Sequence, residues 1–222
     1  MRLLLLSLAV ATAAVAAPAR DWSAVATPAT GAASFTIGNP AAKVHLVEYL
    51  SYTCPHCAHF AEEASGVLRG QMIRSGSVKL EIRNMIADKV DLTAVTLARC
   101  VGPASFPRYH ELVFARQSDW VRRAAEHDQA NGQREALYPI EARLKAIAEA
   151  SGLVAIAREA GASAPAIDSC FADRKTIDRV AGAAMAVRQD VRGTPAFEIN
   201  GKLVQGAGWA QLQPMLRAAG AR

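Results

Sequence analysis

Aromatic side chains are scarce in this chain, at 6% of 222 residues. The hydrophobic share of 51% therefore overstates the core, because 47 of those residues are Ala. It still excludes an intrinsically disordered chain, and Ala at this density points to much helix. Charge is also sparse, at 20% against a usual ~25% for globular domains. The net charge of +5 is not concentrated anywhere: no basic run exceeds two residues, as at Arg122-Arg123. A nucleic-acid binder would gather its cations on a stripe, so no nucleic-acid partner is expected. Four cysteines are too few for a disulfide-dense miniprotein, though an even number suits an oxidising compartment. There is no internal repeat and no low-complexity block. Past the N-terminus there is no apolar run of membrane length.

What is there begins with the N-terminus. Met1-Arg2 precedes a Leu/Ala/Val stretch, and Ala14-Val15-Ala16 fits a small-residue cleavage pattern, with Ala17-Pro18-Ala19 as a second option. Residues 1–19 read as a removed signal peptide and not as a retained anchor. The mature chain is expected to be soluble, exported and free to hold disulfides. Residues 20–34 mix Pro, Gly, Thr and Ala without a period and read as a flexible lead-in.

The rest alternates between strand and helix patterns. KVHLVEYL, from Lys43 to Leu50, is a nearly continuous apolar run, as in a strand buried on both faces. Pro55 suits the first turn of a helix, which should end at Gly70. Ser77 to Ile86 alternates like a half-exposed strand. From Lys89 to about Ala172 only helical stripes are found, with Gly152 and Gly161 as stops and Ser163 as a cap. A helix capped by Asp173 should run to Asp190. Asn200-Gly201 between two short apolar runs signals a hairpin. A last helix starts near Trp209, although Pro214 fits its interior badly. The sum is an α/β chain with a four- or five-stranded mixed sheet flanked by helices. An all-helical subdomain over 89–172 interrupts a domain formed by 35–88 and 173–222.

The chemistry centres on Cys54-Pro55-His56-Cys57. Two cysteines at this spacing, starting a helix directly after a buried strand, can close a small disulfide ring at the sheet's carboxyl edge. The helix N-terminus offers unpaired N–H groups and partial positive charge, and His56 adds a cation when protonated. Both favour a thiolate at Cys54, the more exposed residue, while Cys57 should be buried. Stabilising the thiolate stabilises the reduced pair, which makes its disulfide a stronger oxidant. A zinc ribbon would need a second close pair of ligands. A copper carrier built on Cys54, Cys57 and His56 or His59 is an alternative of a different class. No metal or other cofactor is expected for the redox reading. Glu48, an acid inside VEYL, is costly to bury unless used or paired. In an exported chain Cys100 and Cys170 are expected to form a second, structural disulfide, the alternative being two buried thiols. His45 and His110 are assigned no role, and the three Trp are read as packing residues.

LVEYLSYTCPHCAHF (Leu46 to Phe60) and GTPAFEINGK (Gly193 to Lys202) resemble the DsbA branch of the thioredoxin superfamily, whose signature is the Cys-Pro-His-Cys centre. The resemblance covers about Phe35 to the C-terminus and implies a thioredoxin-like fold with a helical insertion. It implies that Pro195 is a cis-proline facing Cys54, that Thr194 pairs its backbone with an extended substrate, and that Glu48 takes up the Cys57 proton through water. It further implies a thiol-disulfide oxidoreductase acting on reduced or unfolded exported polypeptides, reoxidised by a membrane quinone-linked thiol oxidase; the signal peptide points to the periplasm, and with no obvious dimerisation domain a monomer is expected. Thr194 departs from the Val of the best-known oxidases and is more usual in isomerases and reductases of related branches, so that direction of electron flow is the alternative.

Overall fold

In the computed structural model, residues 20–29, 35–187 and 191–222 are described. The signal peptide expected over 1–19 lies outside them, as do 30–34 of the lead-in and the expected end of the helix at 188–190.

Six strands form one sheet among the described residues: β1 Ala26–Pro28, β2 Phe35–Gly38, β3 Val44–Leu50, β4 Val78–Asn84, β5 Ala196–Ile199 and β6 Lys202–Gln205. Their order is β1-β2-β4-β3-β5-β6. β3 lies parallel to β4, from Val44 opposite Val78 to Leu50 opposite Asn84, and every other pairing is antiparallel. The expected four or five strands are thus corrected to six. The additions are β1 and β2, at three and four residues too short to show an alternating pattern. β1 also corrects the reading of a featureless lead-in. Asp21 caps a single helical turn at Trp22–Ala24, and Ala26–Pro28 then pairs with β2.

The central strand follows from its sequence. Leu46 and Leu50 face the main core with Phe60, Phe197 and Leu212, while Val47 and Tyr49 face a smaller cluster with Met85, Val191 and Ala196. With apolar neighbours on both faces the run must be continuous, which is why KVHLVEYL shows no alternation. Asn200 and Gly201 turn β5 into β6 with φ of 50° and 84°, the left-handed pair a two-residue hairpin requires. The turn is also tied to β3, because the backbone N–H of His45 donates to Asn200 Oδ1 at 2.8 Å.

α1 spans Pro55–Ala64 and continues through a wider π-helical stretch, Ser65–Ile73. Gly70 does not end it; Leu68, Met72 and Ile73 are buried against the sheet and hold the chain helical past the glycine. Between β4 and β5 come α2 Lys89–Cys100, α3 Gly102–Ala115, α4 Gln117–Glu135, α5 Ile140–Ser151, α6 Leu153–Glu159, α7 Ala164–Ala172 and α8 Arg174–Val187. Ser163 caps α7 by accepting from the N–H of Ala166. α9, Trp209–Ala218, runs through Pro214 despite the lost amide donor. Burial of Trp209, Leu212 and Leu216 offsets that loss. Cys100, the last residue of α2, is bonded to Cys170 of α7, with Cα atoms 5.6 Å apart. Among the described residues no helix is long and apolar enough to cross a membrane.

Candidate active site

β3 ends at the carboxyl edge of the sheet, and residues 51–54 carry the chain into α1. Cys54 is the N-cap residue, with extended backbone (φ −74°, ψ 119°), and Pro55 follows inside the first turn. A proline there has no N–H to leave unpaired, and its fixed φ already suits a helix. No side chain caps this helix start. Its N-terminal partial charge therefore remains directed at whatever anion forms there. Cys54 is half-buried, Pro55 and His56 are exposed, and Cys57 is fully buried. Both cysteines are free thiols in this structure.

Two distant residues complete the surroundings of the sulfurs. The Cys54 Sγ–H donates to the backbone carbonyl of Thr194 at 3.4 Å. The Thr194–Pro195 peptide bond is cis. Glu48 lies in β3 between Ile82 and Phe197 of the flanking strands, 3% exposed, and its Oε1 has no hydrogen-bond partner. Burial pushes its carboxyl up to about 8. Burial also raises the Cys57 thiol far above its ordinary range, and the negative charge of Glu48 raises it further. Cys54, Cys57, Glu48 and Thr194-Pro195 are therefore brought together at one sheet edge. The Cys100–Cys170 pair bonds within the helical block and contributes nothing to this edge. Among the described residues, no group of three or more His, Cys, Asp or Glu is placed to hold a metal ion.

A buried acid that stays neutral when folded links stability to pH. The Glu48 carboxyl moves from 4.5 to about 8 on folding. Its stabilising contribution is therefore complete below 4.5 and is lost as pH rises through about 8. At neutrality this costs roughly 3 kcal/mol relative to a group that does not titrate. Glu48→Gln is expected to recover that amount and to flatten the pH dependence of unfolding between those limits. Denaturant unfolding below, within and above the range measures it, and identical profiles for the two proteins would refute it.

Sequence reasoning missed a set of supports behind the loop. The N–H of Tyr52 donates to Asp91 Oδ1 at 2.9 Å, and the N–H of Ala87 to Asp91 Oδ2 at 3.0 Å. Asp91 is fully buried, and burial lifts its carboxyl to about 6. From α4, the Gln117 side-chain amide donates to the carbonyls of both Tyr52 and Cys54, each at 2.8 Å. The Tyr52 hydroxyl lies 3.2 Å from Nδ1 of buried His110, which burial holds down near 3 and so neutral. A cavity of about 670 Å³ beside α1 is lined by Glu48, Pro55, Ala58, Arg69, His110 and Gln117.

Comparison with known proteins adds four findings. A family model described as thioredoxin matches residues 30–218. A solved protein-disulfide isomerase from Novosphingobium aromaticivorans is 34% identical, with a TM-score of 0.73, over 82% of this chain and 95% of that one. Wolbachia pipientis alpha-DsbA1 shares the fold at 19% identity, with a TM-score of 0.64, over 84% of this chain and 90% of that one. Among curated proteins, a candidate protein-disulfide oxidoreductase of Rickettsia typhi is 37% identical over 86 residues, which is 38% of this chain and 32% of that protein. The matched region is thus about a third of the length of that relative.

Proposed function

Because the chain belongs to the thioredoxin family, we propose that it is a DsbA-like thiol-disulfide oxidoreductase that donates a Cys54-Cys57 disulfide to other polypeptides. The observation that carries this reading is the asymmetry of the two sulfurs: one reachable at an uncapped helix start, the other sealed beneath it beside an unpaired acid.

The exchange balances as follows. A substrate thiolate attacks Cys54 Sγ; an S–S bond forms there, the Cys54–Cys57 bond breaks, and Cys57 leaves as a thiolate. A buried thiolate is a poor leaving group unless it is protonated. Glu48, neutral near pH 7, supplies that proton through water from the adjacent cavity, and as a carboxylate it takes the Cys57 proton back up when the disulfide is restored. A second substrate thiolate then attacks the substrate sulfur of the mixed disulfide and expels Cys54 as a thiolate. The helix start stabilises the departing charge. Two electrons pass from substrate to protein, and the substrate leaves oxidised. The backbone at Thr194 pairs with an extended substrate segment, beside cis Pro195 and facing Cys54.

The substrates are reduced or unfolded exported polypeptides, met in the periplasm after signal cleavage. A membrane quinone-linked thiol oxidase restores the disulfide, and the protein works as a monomer. The oxidised protein mixed with a reduced two-cysteine peptide is expected to oxidise one peptide per protein, read by the mass of the peptide. Oxidised protein left intact beside an unreacted peptide would overturn the reading. An isomerase or reductase is the second reading. It is favoured by Thr194 before the proline and by the Novosphingobium relative. Redox titration against glutathione separates them, a reductase having the clearly lower potential.

A further inference from the structure

The segment between β3 and α1 is held from two sides. Within residues 51–54 every bond returns to Ser51: its hydroxyl meets the Thr53 hydroxyl at 3.0 Å and accepts from the Thr53 N–H at 3.2 Å, and its carbonyl accepts from the Cys54 N–H at 3.2 Å. The shorter bonds come from outside. Asp91 of α2 takes the N–H of Tyr52, and Gln117 of α4 takes the carbonyls of Tyr52 and Cys54. Both helices belong to the block between β4 and β5. Gln117 is 8% exposed, and the two N–H bonds of its amide have two acceptors, each at 2.8 Å. A planar amide with both hydrogens engaged cannot turn without losing both bonds.

We infer that Gln117 is a positioning residue for the Cys54 nucleophile, fixing the carbonyls on either side of it through a two-pronged amide contact. The inference rests on the redox reading of Cys54. The Cys54 carbonyl is the negative group covalently nearest the reacting sulfur. It accepts from the N–H groups of Cys57 at 3.1 Å and Ala58 at 3.3 Å, and Gln117 supplies a third donor. With three donors its negative end is well compensated, so less of it opposes charge on the sulfur. Without Gln117 two carbonyls lose a buried partner, the loop loosens, and a thiolate at Cys54 becomes less favourable. The helical block thereby tunes the nucleophile through hydrogen bonds, without touching the sulfur.

Two variants test this. Gln117→Leu keeps the bulk and removes both donors. Gln117→Glu keeps the shape and sets an acceptor against two carbonyls. Each is expected to slow Cys54 alkylation about tenfold and to shift the Cys54–Cys57 couple by ~30 mV toward reducing, a tenfold change in its equilibrium. In Gln117→Glu the defect relative to wild type should shrink as pH falls and the carboxyl regains an O–H donor, a recovery that Gln117→Leu cannot show. A merely structural glutamine would lower the melting temperature while leaving alkylation profile and potential at wild-type values, and that result overturns the inference. Alkylation is read independently of peptide oxidation. Altered alkylation in a protein that oxidises no peptide supports the role of Gln117 and removes only the oxidase reading.

Discussion

Cys54→Ala is expected to abolish oxidation of a reduced test peptide, whereas Cys57→Ala, given a disulfide-linked peptide dimer, should accumulate a stable mixed disulfide as the Cys54 thiolate attacks the peptide disulfide and one peptide leaves as a thiolate. The difference follows from access and not from the residue type. Cys54 is half-buried at the helix start, and Cys57 is 0% exposed. An incoming thiolate can reach only the first sulfur. Once Cys57 is gone, no internal thiol returns to expel the substrate from Cys54, so the covalent complex persists until external thiol resolves it. Non-reducing electrophoresis and mass measurement separate the two outcomes. Full activity in Cys54→Ala would defeat the mechanism. Trapping through Cys57 instead would show that the burial pattern is reversed in solution.

The second large effect is on stability. The Cys100–Cys170 bond joins residues 70 apart in sequence and clasps α2 to α7. Closing a loop of this length restricts the unfolded chain by about 4 kcal/mol in the chain-entropy account. Cys100→Ala/Cys170→Ala is therefore expected to lose that much unfolding free energy, lowering the melting temperature by roughly 10 °C for a chain of this size. Peptide oxidation measured well below the transition should stay near wild type, because the bond lies in the helical block away from Cys54 and Glu48. Replacing both residues avoids a stray thiol that could exchange with Cys54. Unchanged stability in the double variant would show that the bond is absent or that the reduced chain is already constrained.

The parts of this architecture visible in the sequence are those governed by local chemistry. The continuous run at Lys43 to Leu50, the proline after Cys54 and the Asn200-Gly201 turn each carry their own instruction, and each lies in the element expected of it. β1 and β2 carry almost none, since a strand of three or four residues exists only because a neighbour pairs with it. Gly70 misled for a related reason: its cost in a helix is about 1 kcal/mol, and burial of Leu68, Met72 and Ile73 exceeds that. Pro214 is tolerated in α9 on the same terms. At the site, Cys54 and Cys57 announce themselves by spacing, and Glu48 by its intrusion into an apolar strand. Gln117 and Asp91 do not. Each reads as an ordinary polar residue near a helix start, and its role exists only once α2 and α4 pack over the loop.

The contact between Cys54 and Thr194 spans 140 positions of the chain, with the whole helical block between them. Folds dominated by such distant pairings close slowly, because the intervening loop must be ordered before the contact forms. During synthesis the CPHC segment leaves the ribosome long before β5 does. A nascent chain that has not reached residue 194 holds Cys54 without the Thr194 carbonyl to which its Sγ–H donates. The surroundings of Cys54 are therefore completed near the end of folding, when the last strands dock beside β3.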